Sequence, residues 1–158
     1  DQSLMDYDLQ LENYIKNNLG IKDYKINFTE KGAIPLFHPL NKNNEKTVYI
    51  GSAGGMTRLS TGYTFLNIQE HSKYIVENID KIEKIKMYNI GKKYQFLDKI
   101  FLRVLKNNPD KMPKIFFEMF KASSSCVIKF LSNKSNIFED INIIGRMPKL
   151  IFMRALFH

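Results

Sequence analysis

The spacing of apolar residues changes character several times along the front half of the chain. Tyr7, Leu11, Tyr14 or Ile15, and Leu19 share one helical face, which predicts a helix over Tyr7 to Leu19, closed by Gly20. Tyr24, Ile26 and Phe28 then alternate with polar residues, the period of a strand over Asp23 to Glu30. Gly32 and Pro35 interrupt it, and Asn41 to Lys46 reads as a polar turn. Thr47 to Ile50 is expected as a short buried strand leading into a glycine-rich turn, and Ser60 to Asn78 as a long helix with Phe65, Ile68, Ile75 and Ile79 inward. After Lys81 the pattern is helical only. Phe96, Ile100 and Val104 mark one helix, and Ile115, Phe116, Met119 and Phe120 a second. Cys126 to Leu131, Phe138 to Ile144 and Ile151 to Leu156 mark shorter helices, punctuated by Pro109, Pro113, Gly145 and Pro148. The expected fold class is therefore α/β, of the α+β kind. A few strands lie in a front part over residues 1–80, and a helical part over 81–158 packs on it.

The turn between the second expected strand and the long helix carries the most chemistry. Gly51, Gly54 and Gly55 allow close backbone approach where a Cβ would collide. Ser60, Thr61 and Gly62 stand where a helix is expected to begin, with unpaired amides and the positive end of the helix dipole. Such a place suits an anion or an electron-rich ring edge, and equally a plain tight turn with a helix cap.

Composition narrows the choice. The chain has 158 residues with 44% hydrophobic and 25% charged, enough for one sizeable core. No apolar run is long enough for a transmembrane helix, and no signal peptide is visible. Asp1 begins directly in an apolar rhythm, which leads to the expectation that sequence precedes it. Net charge is +8 and lysine-rich, which fits a solvated surface or anionic lipid headgroups; no nucleic-acid motif accompanies it. Cys126 alone excludes an internal disulfide and reads as a buried small hydrophobe. His38, His71 and His158 are scattered and form no metal set. Ser123, Ser124 and Ser125 precede an apolar run as a helix start does, without nucleophile-elbow spacing. Glu12, Glu70 and Glu118 have lysines nearby and read as surface partners.

The string from Val48 to Ile68, VYIGSAGGMTRLSTGYTFLNI, resembles the second FAD-binding motif of flavoproteins related to aromatic hydroxylases and geranylgeranyl reductases. Its AGGMT and STGYTF wording is most similar to a lycopene cyclase. The likeness continues through MDYDLQLENYI, through Glu30-Lys31-Gly32-Ala33-Ile34-Pro35-Leu36, and through FLDKIFLRVL, KIFFEMF, VIKFLSN, FEDINIIGRMPK and FMRAL. Two positions depart from the wider flavoprotein pattern. Ser52 stands where an aspartate is usual, and Leu59 where a proline is usual. The ADP-binding GxGxxG unit and the acidic motif of the family are not among these residues, so the chain resembles the shorter C-terminal part of a cyclase with a hydroxylase-like FAD fold.

The resemblance implies a redox-neutral ring closure of lycopene or a related acyclic carotenoid. A carboxylic acid protonates an alkene, and reduced FAD, with NADPH as electron source, steadies the cation. It implies cofactor contacts at Gly51, Ser52, Gly54, Gly55, Met56, Ser60, Thr61, Gly62 and Tyr63, and names Glu30 as the acid within reach, with the principal acid expected upstream. A high-pKa acid in an apolar pocket is what the chemistry needs. The resemblance further implies a bacterial, cytoplasmic enzyme peripheral to a membrane and inactive as this fragment alone. The aromatics Phe116, Phe117, Phe120, Phe130 and Phe152 are expected in the core, with some lining a polyene tunnel. Another flavoprotein of the same fold, a prenyl reductase or hydroxylase, and a nonenzymatic helical module that binds a membrane or partner are the alternatives.

Overall fold

A computed structural model describes residues 4–39, 42–44 and 46–157. The chain forms two compact units, one ending at Ala33 and one starting at Ile34. The expected boundary at 80/81 has no counterpart in this division.

The first unit holds α1 (Leu4–Asn13), prolonged by a π-helical turn over Tyr14–Asn18. Gly20 ends it with φ +69°, the left-handed conformation that glycine adopts without a Cβ penalty. Glu12 pairs with Lys16 at 2.6 Å and Asp8 with Lys31 at 2.8 Å. The expected helical face of Tyr7, Leu11, Tyr14 and Leu19 is exposed.

The expected α/β class is overturned: among the described residues the structure is helical and has no sheet. Asp23 to Glu30 is irregular, with Ile26 66% and Phe28 80% exposed. Thr47 to Ile50 forms no strand either; one isolated bridge, Asn44 to Thr47, is all the β pairing present among the described residues. Alternation defines two faces of a segment. A strand also needs a neighbour to take its backbone N–H and C=O groups, and none is supplied. The Asn41 to Lys46 turn falls partly on Asn41 and Glu45, outside the described residues, as do Asp1 and His158.

The second unit is a helical array: α2 (Phe65–Glu77), a 3₁₀ segment (Ile79–Lys84), α3 (Lys92–Asn107), α4 (Met112–Phe120), α5 (Ser124–Leu131), α6 (Ile137–Arg146) and α7 (Lys149–Leu156). Side-chain caps set two of the starts. Ser123 Oγ accepts from Cys126 N at 3.4 Å, and Asn136 with Glu139 makes a reciprocal capping box at α6. α3 packs on α7, and α5 and α4 on α6. Their inward residues, among them Phe101, Val104, Ile115, Met119, Phe130 and Ile143, make one core. Cys126 is buried within it, and burial pushes its thiol pKa up, as expected of an inert packing residue. Glu70 pairs with Lys134 at 3.0 Å and Glu118 with Lys121 at 2.8 Å, the surface pairing that the sequence led us to expect. No helix among the described residues is long and apolar enough to cross a membrane.

Candidate functional site

The glycine turn closes on itself. Gly54 N donates to Ile50 O and Gly51 O, both at 3.1 Å; Gly55 N donates to Ser52 O and Met56 N to Gly51 O, also at 3.1 Å. A Cβ on Gly54 would lie 2.4 Å from Tyr49 O, so this glycine is required by the chain's own backbone. Gly51, Gly55 and Gly62 have φ of +62°, +73° and +71°. Met56 is fully buried, and its carbonyl accepts from Asn67 Nδ2 at 2.8 Å.

The residues that follow make a second turn. Thr61 N and Gly62 N both donate to Arg58 O, and Arg58 N donates to Tyr63 O at 2.9 Å. Gly62 in the left-handed region cannot belong to an α-helix, so α2 starts at Phe65 rather than at the expected Ser60. The amides of Gly54, Gly55, Met56, Thr61 and Gly62, expected to face a cofactor, are thus engaged inside the chain. Ser52 Oγ lies 3.0 Å from Thr57 Oγ1, which in turn lies 3.2 Å from Thr64 Oγ1.

Between these turns and the helical core stands Arg58, which the sequence reading passed over. Its guanidinium is fully buried. Nε and Nη2 donate to the Asp98 carboxylate, with Nη2 to Oδ1 at 2.7 Å, and Nη1 donates to Phe130 O at 2.6 Å. The Tyr94 and Phe130 rings flank it, with centroids 4.8 and 5.1 Å from Cζ. Asp98 also accepts from Ser60 Oγ at 2.6 Å and from Leu59 N at 3.1 Å. The departure from proline at Leu59 now has a reason, because proline has no N–H to give Asp98. A carboxylate inside the apolar stripe Leu97, Ile100, Phe101 was the signal available in the sequence.

Beside this ion pair lies a polar cluster. Tyr88 Oη donates to Asn67 Oδ1 at 3.0 Å, and Asn133 Nδ2 reaches the same oxygen at 3.3 Å. His71, buried on α2, meets Tyr74 and Tyr88 ring to ring at 5.6 and 5.7 Å. Burial holds its pKa below the usual histidine value.

Three concave features surround the site. A small hollow of about 190 Å³ touches Gly54 and Gly55, with His38, Tyr88 and Gln95 on its walls. His38 and Gln95 also border a groove of about 620 Å³ along α3. An apolar groove of about 420 Å³ lies between α3, α6 and α7; of the aromatics proposed for a tunnel, Phe130 and Phe152 line it, while Phe117 and Phe120 point to solvent elsewhere. Glu30 is exposed in the first unit.

A family model described as lycopene cyclase protein matches residues 2–157. No curated protein and no solved structure matches the chain. Membership carries a carotenoid-related, cyclase-like function and an enzyme's place in carotenoid biosynthesis. With the match running through nearly every residue, and with the glycine turn, the STGY turn and the helical body all inside it, the chain belongs to the lycopene cyclase family.

Proposed function

We propose that this chain serves an FAD-dependent lycopene cyclase that closes ionone rings by proton-initiated, redox-neutral cyclisation. The family match over residues 2–157 carries this reading. The residues around the glycine turn suit one edge of a flavin ring. The hollow at Gly54 and Gly55 is bordered by Tyr88 and Gln95, and its walls lack a Cβ at both glycines. At about 190 Å³ it is smaller than the roughly 300–1,000 Å³ usual for a whole organic ligand. Tight binding of FAD therefore needs the ADP-binding unit, whose glycine motif is not among these 158 residues.

When bound, reduced flavin would supply negative charge beside a developing carbocation. The chain's own part is positional. Arg58 and Asp98 lock the second turn to α3, so that the hollow keeps its shape without reorganising when charge develops. Glu30 is proposed as an auxiliary acid only, because it is exposed and has no apolar enclosure around it; the principal proton donor is proposed to lie outside these residues.

The test is turnover of lycopene by the protein as encoded, with flavin reduced by NADPH under anaerobic conditions. The expected product is cyclic, has the mass of lycopene, and forms with far less than one NADPH per ring. A heavier product formed with one NADPH per reaction would replace this reading with a prenyl reductase.

A further inference from the structure

We propose that the face formed by α3 and α7 docks on an anionic phospholipid bilayer, with lipid phosphates held by a basic stripe of α3. Lys92, Lys99, Arg103 and Lys106 recur along one flank of α3 and line the 620 Å³ groove together with Leu59, Phe96 and Leu102. No carboxylate lines that groove. Among the described residues none of these cations joins an ion pair, whereas Lys16, Lys93, Lys121, Lys129 and Lys134 do. Arg103 gives one bond, Nη1 to Ala155 O at 3.0 Å, which ties the stripe to the end of α7.

The apolar half of the face adjoins the stripe. Phe96, 57% exposed, borders both the basic groove and the apolar groove of about 420 Å³. On α7 and at its C-cap, Leu150, Met153 and Phe157 follow at helical spacing and are 72%, 53% and 84% exposed. An exposed apolar face edged by lysine and arginine is the arrangement of a surface that lies in a bilayer interface. Charge decides the occupant. A second copy meeting this face about a two-fold axis would bring like-charged stripes together, whereas an anionic leaflet neutralises them. The docking goes beyond the cyclase reading, and its test reads no activity.

The experiment is co-sedimentation of the chain with vesicles of phosphatidylglycerol or phosphatidylcholine at low and high salt. We expect about tenfold or greater preference for the anionic vesicles, weakened by salt. Lys99→Glu with Lys106→Glu should lower that binding about tenfold or more, and Phe96→Ser with Met153→Ser should lower it severalfold. The control pair Lys22→Glu with Lys25→Glu changes charge equally on exposed residues of the other unit and should leave binding within about twofold. All these side chains are exposed, and circular dichroism checks that each variant folds. Equal binding to both lipids, or equal loss in the control pair, overturns the proposal. So does displacement by inorganic phosphate beyond that by chloride at matched ionic strength, which would assign the stripe to free phosphate. Loss in the lysine pair without loss in the apolar pair would mean that charge alone holds the chain at the vesicle, and overturns docking by the combined α3 and α7 face.

Discussion

Arg58 and Asp98 form a closed pair inside the protein: Nη2 and Oδ1 are 2.7 Å apart, and the residues are 0% and 1% exposed. Every guanidinium nitrogen has an acceptor, and Asp98 also takes a hydroxyl and an amide proton. Such a pair is costly to assemble and more costly to halve, because removal of one partner strands a charge away from water. Asp98→Ala and Arg58→Met should each lower unfolding free energy by about 3–5 kcal/mol. The double variant Arg58→Met with Asp98→Leu should lose clearly less than the sum of the two single changes. Urea unfolding of all of them measures this; additive losses would mean that the pair is not coupled.

That relationship also shows how far the sequence could be read. The stripe Phe96, Ile100, Val104 and the hydroxyl at Ser123 placed α3 and α5, because helix periodicity and capping are local. The glycine block and its family likeness were legible for the same reason, since the match spans contiguous residues. Tyr24, Ile26 and Phe28 misled because alternation says nothing about a partner strand. The start of α2 was misplaced because the backbone at Gly62 follows from a turn closed by Arg58, which residue type alone does not specify. Arg58 and Asp98 are 40 positions apart, and nothing local joins them.

The two central glycines should respond differently to substitution. Alanine at Gly54 would push a Cβ against Tyr49 O at 2.4 Å, so the turn must open, at about 1–3 kcal/mol for overpacking. At Gly55 the nearest atoms lie at 3.7 Å, and the cost is the left-handed backbone alone, about 1–2 kcal/mol. Asparagine tolerates that conformation and should recover part of the loss at Gly55, yet none at Gly54. Thermal unfolding of Gly54→Ala, Gly54→Asn, Gly55→Ala and Gly55→Asn decides it. Recovery by asparagine at both positions would show that conformation, not the contact with Tyr49, demands glycine at 54.

The last prediction concerns acid. His71 is 5% exposed, its Nε2 has no hydrogen-bond partner among the described residues, and burial lowers its pKa from 6.5. The aromatic rings against it belong to Tyr74 and Tyr88; the Tyr88 phenol is pushed up by burial and stays neutral below pH 7. The unfolded chain therefore takes up a proton on His71 before the folded chain does. Stability from the neutral ring is complete above the unfolded value near 6.5 and is lost as pH falls toward the lower folded value. His71→Phe removes that proton uptake and keeps a ring of similar size. Urea unfolding between about pH 7.5 and 5 should show stability falling with acid in the parent and falling less steeply in the variant, whatever their relative stability at neutral pH. His38 is present in both proteins and cancels in the comparison. Parallel slopes for the two proteins would mean that His71 takes up its proton equally well in the folded state, with its buried nitrogen reaching water.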